Sequence, residues 1–596
     1  MVNPSVTKVE SASPCSTGSP EDHSLSPRNG LICASLLAIS VLIIYPVANK
    51  PFGDDFSYTK TALVFEQTGR IVYNGWATAM LGWLIPWGAA FIKIFGFSFT
   101  LLRLAMLPLG LATVYIFHQI LRRFGINRRN AVFGTLTLAL SPLFLFMTAS
   151  YMTDLPGLLV ILVCLYMCQR AVAARSDRAA LLWLCSAALV NVAGGTVRQI
   201  AWLGALVMVP STAWLLRKQR GMKAVSVVMW FFSVAGVIAC LHWFSKQPYS
   251  VPEHILGDSI RIRNLAHLVL ELIKTFLCLL LIIFPISVAW FPTARRLPPQ
   301  AKRRIAIAIV ALALLAVISY KTGALDRWAE PWLIPFLAAT TLGTMPLWVR
   351  TGVSLLVIIP ALIWMEQLGA WNRGTSRYTH VRSSSWIQLA WIVGPFSLSY
   401  LIMLMPRGTF EVIQDRYLLG LAPAAIIVLL KLYQEKLSEK LPAVSLIVIA
   451  IVTIFAIGDV HDVFATSRAL AATVKMAEGS GISIKSIRTL SDETGVDGLG
   501  RDGWTQIEDG GYINDPRIQI PAGAYKPHIS DLKLPPSCSN WFSSYSPAID
   551  PRYFVVSVPK PTCFSATNLP PTRYITWLPP FHRALYLETL PTAPSK

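Results

Sequence analysis

The stretch from Leu31 to Tyr58, LICASLLAISVLIIYPVANKPFGDDFSY, decides how the rest of the chain is read. Its first part, Leu31 to Val47, carries no charge and approaches the roughly 20 apolar helical residues that a hydrocarbon core of about 30 Å requires. Two adjacent carboxylates, Asp54 and Asp55, follow just where such a span would leave the bilayer. Acids at that boundary cost free energy unless something pairs or uses them. The stretch therefore reads as a membrane helix that delivers an acidic loop to the membrane surface.

The same pattern of apolar runs continues to about Gly458. The chain has 596 residues, of which 54% are hydrophobic and 14% charged, with a mean hydropathy of +0.53. A soluble chain carries about 25% charged residues, so a soluble fold is excluded. The expected class is an all-α polytopic membrane protein with a small C-terminal α/β domain. Spans are expected at 31–48, 98–120, 131–149, 156–173, 180–196, 199–216, 224–243, 267–291, 304–320, 352–368, 386–405, 417–431 and 442–458, about thirteen in all by length and apolar content. Two more apolar stretches, 77–96 and 331–348, are broken by Pro and Gly and rich in Trp.

Charge orders these spans. The net charge of +21 lies mostly in short loops between apolar runs, among them those holding Arg122 to Arg129, Arg217 to Lys223 and Arg295 to Arg304. That is the positive-inside pattern, and it replaces a nucleic-acid partner as the explanation of the charge. If 77–96 and 331–348 both crossed the membrane, those basic loops would face outward, so both stretches are expected as helices lying in the outer interface, within loops 49–97 and 321–351. The expected organisation is a disordered cytoplasmic tail over 1–30, a membrane domain over 31–458 and an extracytoplasmic domain over 459–596, with the N-terminus inside. In the last region His461 to Gly479 has helical spacing, whereas Arg552 to Val558 and Arg573 to Leu578 look like strands. Cys538 and Cys563 are candidates for a disulfide there, while the cysteines of the apolar runs read as small buried residues.

A second outward acid, Asp154, sits in Tyr151-Met152-Thr153-Asp154-Leu155-Pro156. The plainest role for these acids is helix capping, with Pro156 in the first turn after Asp154. One cap needs one carboxylate, so the Asp54 and Asp55 pair points beyond capping. Cations expected on the same side are Arg198, Lys321, Arg407 and Arg416. Headgroup anchoring, or pairing of Arg416 with Asp415, is the alternative to phosphate binding, for which Arg offers a planar fork and Lys a point charge.

The order of Asp54-Asp55-x-x-Tyr58, Phe95-Gly96-Phe97-Ser98 with Leu102-Arg103-Leu104, Leu140-Ser141-Pro142, Met152 to Pro156, and Asp415-Arg416-Tyr417-Leu418 with Pro423 resembles the GT-C glycosyltransferases. Within that superfamily it is similar to the protein mannosyltransferase and lipid A aminoarabinose transferase branch (glycosyltransferase family 39-like). The resemblance covers about residues 30 to 430. It implies the GT-C fold and inverting transfer of a sugar from a polyprenyl-phosphate donor to a lipid, glycan or protein acceptor. Asp54 matches the family's base, because Tyr58 keeps its offset, and Asp55 stands where Glu is usual. Asp55 and Asp154 are expected to assist, Arg416, Arg407, Lys321 and Arg198 to hold the donor phosphate, and Tyr58, Trp76 and Tyr417 to line the pocket. In place of the branch's Lys-Pro-Pro element stand Gly75, Trp76 and Trp83, which leaves donor sugar and acceptor open. Ile507 to Tyr512 resembles the soluble extension of some bacterial members.

The chemistry is consistent with those residue types on its own terms. A sugar on a lipid phosphate loses an anion, so the site needs a base for the acceptor hydroxyl and positive charge for the phosphate. No cofactor is required. A divalent metal has no supporting spacing, since His242, His254 and His267 form no HExxH or close pair, although Glu253-His254 could contribute to an ion site with other loops. The rival class is a transporter or flippase of lipid-linked sugars, which would carry polar groups midway through spans and show repeat symmetry. Absence of an Asn-x-Ser/Thr sequon in the outward segments favours a bacterial inner membrane, with the C-terminal domain in the periplasm.

Overall fold

The computed structural model describes residues 27–50, 54–74, 77–247, 250–251, 262–321, 347–373, 384–409, 413–489 and 552–590. Every stretch expected to span contains helix, although the first, Arg28–Ile44, ends before residues 45–48 of the expected 31–48 span. Among the described residues, eight helices are long and apolar enough to cross a membrane, or nine if one bent pair counts as a single span. Shorter apolar helices, Arg28–Ile44 among them, account for other expected spans. The Met222–Ser245 helix shows why these faces need lipid: Val227, Val228, Phe231, Phe232 and Ile238 are all exposed on it. In water that surface would be an aggregation site, and in hydrocarbon it carries no penalty.

Two expected spans are interrupted, each for a local reason. The 131–149 stretch is a pair of helices, Arg128–Ala139 and Pro142–Thr148, bent by 65°. Ser141 ends the first and caps the second by accepting from the Phe144 amide at 3.3 Å, while Pro142, which lacks an N–H, fits the first turn. The 199–216 stretch is a 3₁₀ turn, a π turn at Gly204–Met208 and a short α-helix. There Asn191 accepts the freed Ala205 amide at 2.7 Å, and a side chain on Gly204 would collide with that same Asn191.

Between the first two spanning regions lie the helices Asp55–Thr68 and Leu84–Phe95, packed on one another. The second has 12 residues. That is about 18 Å of helix, well short of a crossing. Of the 331–348 stretch only the last two residues are described, at the start of the Leu347–Arg373 helix.

At the C-terminal end the Ala443–Gly479 helix runs unbroken for 37 residues through the 458/459 boundary read from composition. One rod thus joins the membrane domain to a small sheet. The strands are β1 (Ile487–Thr489), β2 (Tyr553–Val556), β3 (Ser565–Ala566), β4 (Thr572–Ile575) and β5 (His582–Thr589). β1 pairs in parallel with β2; β5 pairs antiparallel with β2, β3 and β4. Val555, Leu585 and Leu587 of the sheet bury against Ala469, Leu470 and Val474 of the helix. Cys563 is disulfide-bonded, and Cys538 lies outside the described residues.

Candidate active site

Asp54 stands at the position preceding the Asp55–Thr68 helix but makes no capping bond. Its carboxylate instead accepts from Arg416 Nη1 at 3.0 Å, across 362 residues of sequence. Asp154 begins the Asp154–Val172 helix, and there too the residue before it, Thr153, makes no side-chain cap. Arg198 Nη1 lies 2.9 Å from Asp154 Oδ1, close enough for an ion pair although not aligned as a hydrogen bond, and donates to Thr153 Oγ1 at 3.0 Å. Arg416 Nη1 also lies 3.9 Å from Asp154 Oδ2. The guanidinium of Arg416 therefore bridges the two acids, and Arg198 backs the second.

Tyr417 organises the cations. Its ring carries Arg407 at 4.8 Å, Arg198 at 5.0 Å and Arg416 at 5.7 Å from the centroid. An aromatic face attracts cations through its quadrupole, so one buried ring holds three guanidinia that would otherwise repel one another. The backbone beneath it is fixed by Tyr400, whose hydroxyl donates to the Tyr417 carbonyl at 2.8 Å. Gly420 permits this approach, since a Cβ there would stand 2.5 Å from the Tyr400 ring.

Electrostatics keep Arg416 and Arg198 charged. Burial by itself would lower the pKa of Arg416, but Asp54 and Asp154 outweigh it and hold the guanidinium well above its ordinary value. Arg198 is raised in the same way, burial being overcome by Asp154 and then Tyr417. Buried Tyr58 is pushed well above the usual phenol range, first by desolvation and then by Asp54, so it stands beside the acids as a neutral phenol. The two acids differ in access: the Asp54 side chain is 23% exposed and that of Asp154 only 1%. Solvent reaches the former and not the latter.

Asp55 leaves this group. Its carboxylate, fully buried, pairs with Arg103 Nη2 at 3.1 Å. Arg103 also donates to the carbonyls of Ala48 and Lys50 at 2.6 Å each and lies over the Phe464 ring. Leu102-Arg103-Leu104 is thus a staple that fixes the acidic loop to the end of the first span, a role the motif alone did not disclose. Glu271 and Lys274 were likewise missed. Buried in the Ile262–Ser287 helix and 2.8 Å apart, they lie beneath the loop that carries Arg407 and Arg416. Glu271 accepts the Ile413 amide at 3.0 Å, and His267 Nδ1 is 2.8 Å from the Gly408 carbonyl. The signal for this pair was an i, i+3 acid and base inside an apolar run.

Lys321 is the last residue of the Pro299–Lys321 helix. Trp76 and Glu253-His254 lie outside the described residues. Trp83 and Trp87 spend their indole N–H groups on the carbonyls of Gly194 and Ala105, at 3.0 and 2.9 Å, which makes them struts of the loop. Among the described residues there is no group of three or more His, Cys, Asp or Glu able to hold a metal.

No protein-family model and no curated protein matches this chain. Solved structures do resemble it. ArnT from Cupriavidus metallidurans bound to undecaprenyl phosphate is 12% identical, with 93% of this chain and 97% of that one covered and a TM-score of 0.36. The Archaeoglobus fulgidus oligosaccharyltransferase in complex with zinc and sulfate is 12% identical over 88% of this chain and 68% of that one, with a TM-score of 0.42. The Saccharomyces cerevisiae protein O-mannosyltransferase complex bound to its sugar donor is 14% identical over 36% of this chain, with a TM-score of 0.29; this chain spans about a third of its length, 33%. These are GT-C glycosyltransferases, the superfamily whose motif order the sequence resembles.

Proposed function

We propose that this chain is a membrane glycosyltransferase that moves a sugar from a polyprenyl-phosphate carrier to a hydroxyl-bearing lipid, glycan or protein acceptor at the outer face of a bacterial inner membrane. The observation that carries the reading is the single guanidinium of Arg416 shared between Asp54 and Asp154, brought together from three loops far apart in sequence. Helix capping leaves this arrangement unexplained, since neither acid loop shows a side-chain cap.

The arrangement suits an inverting displacement. The acceptor hydroxyl gives its proton to Asp54, its oxygen forms a bond to the anomeric carbon, and the bond from that carbon to the phosphate oxygen breaks. The phosphate leaves as an anion, stabilised by Arg416 with Arg407 and Arg198 alongside. Asp154 keeps Arg198 and Arg416 in place, Asp55 acts through Arg103 on the loop, and Tyr58 and Tyr417 shape the pocket. Lys321, from a loop expected on the same side, is proposed as a further phosphate contact and Trp76 as part of the pocket lining. No metal enters the scheme.

The test is incubation of the purified full chain with a panel of polyprenyl-phosphate sugars and a membrane extract as acceptor, followed by release of polyprenyl phosphate. Release that depends on the acceptor supports the reading. Movement of the intact donor across a vesicle bilayer, with no release, would instead favour a flippase.

A further inference from the structure

The tip between β4 and β5 is built around one carboxylate of the long helix. Asp462 accepts the backbone amides of Trp577 and Leu578 at 2.7 and 2.9 Å. Beside it the His461 and Trp577 rings stack at 3.9 Å, 11° from parallel. Thr576 closes the turn, its amide donating to the Phe581 carbonyl at 3.0 Å and its hydroxyl to the Pro580 carbonyl at 2.6 Å. The tip is therefore rigid and fixed to the rod. Yet, with His582 beside them, three large apolar side chains face outward: Ile575 is 64% exposed, Phe581 54% and Trp577 46%.

Its position on the rod explains them. Ile447, Ile451 and Ile454 are strongly exposed on the Ala443–Gly479 helix, and their spacing puts them on one face, the face this span turns to lipid. Gly458 continues that row, and a Cβ there would meet Leu578 of the tip at 3.2 Å. His461, which stacks on Trp577, comes seven positions after Ile454, or about 10 Å along the axis. The exposed aromatic patch thus begins where the lipid-facing stripe ends, at the level of the headgroups, where Trp and other amphipathic rings partition.

We propose that the β4–β5 tip is a membrane anchor, with Ile575, Trp577 and Phe581 inserted in the interfacial layer of the same leaflet, so that the C-terminal domain is held to the bilayer at two points, the rod and this tip. The partner surface is the lipid headgroup and acyl boundary, and the inference stands whether or not the chain transfers sugars.

The experiment uses the full chain in lipid nanodiscs with a nitroxide on one introduced cysteine at a time: Phe581→Cys and Ile575→Cys on the tip, Ile454→Cys as the lipid reference and exposed Glu478→Cys, near the far end of the rod, as the water reference. Unsubstituted protein taken through the same labelling supplies the background from native cysteines. Collision with oxygen relative to a water-soluble nickel chelate reads immersion. Both tip positions are expected to shift from the Glu478→Cys value toward the Ile454→Cys value and to lose that shift in detergent-free aqueous amphipol. A ratio at either tip position equal to that of Glu478→Cys in nanodiscs overturns the anchor.

Discussion

Replacing Asp154 by Asn keeps the shape of the side chain and takes a charge from between two arginines. Charges 2.9 and 3.9 Å apart attract by roughly 6 and 4 kcal/mol at an effective dielectric of about 20. Desolvation of three buried groups offsets much of that, and removing one partner from such a cluster costs about 3–5 kcal/mol. D154N is expected to lose stability in that range. The reasoning locates the loss in the stranded arginines, so it makes a sharper claim: Arg198→Met in the same chain should recover part of it. A double-mutant cycle, read as the midpoint of heat-induced loss of folded, monodisperse protein in detergent, should give a coupling of about 1–3 kcal/mol. Additivity of the two substitutions to within about 0.5 kcal/mol would show that Asp154 and Arg198 do not share an ion pair, and the account of the site would fail there.

Three further outcomes follow from neighbouring contacts. Glu271→Ala removes the acceptor of the Ile413 amide and should lower turnover about tenfold through misplacement of the Arg416 loop, with Glu271→Gln restoring part of it because an amide oxygen still accepts; equal activity of all three forms would remove the positioning role. Tyr58→Phe should leave the alkaline side of the pH–rate profile unmoved: burial and Asp54 raise the phenol pKa, so the group stays protonated as pH rises through the ordinary phenol range, and a shifted alkaline limb would contradict that. Gly88→Ala places a Cβ 2.1 Å from the Tyr151 hydroxyl, which donates to the Leu84 carbonyl at 2.6 Å, and should destabilise the chain by about 1–3 kcal/mol in the same thermal assay.

The membrane helices were legible because hydrocarbon imposes one rule on long stretches, namely about 20 apolar residues in a row. What broke two of them was legible only in part. Ser141-Pro142 is a visible helix start, yet the bend it makes depends on what both halves pack against. The acids, Arg416 and Arg198 stand out by residue type and by the side of the membrane their loops are expected to face. Which acid meets which cation does not, because pairing across 362 residues is a tertiary fact. Asp55 shows the limit best: adjacent to Asp54 and identical to it in type, it turns through the start of a helix to the opposite partner, Arg103. Glu271 and Lys274 were passed over because an isolated i, i+3 pair inside a span resembles local charge neutralisation until the loop above it is seen. The rod through residue 458 escaped notice for the opposite reason, since composition changes there while helical backbone does not.

The measurement closest to the centre of this account is a single-turnover comparison of the full-length chain and Asp54→Asn with a saturating polyprenyl-phosphate sugar that the wild type accepts. Loss of a positioned base predicts a rate lower by about 10²–10⁴ with donor binding retained through Arg416, Arg407 and Arg198. Undiminished turnover by Asp54→Asn would contradict the assignment of Asp54 as the base.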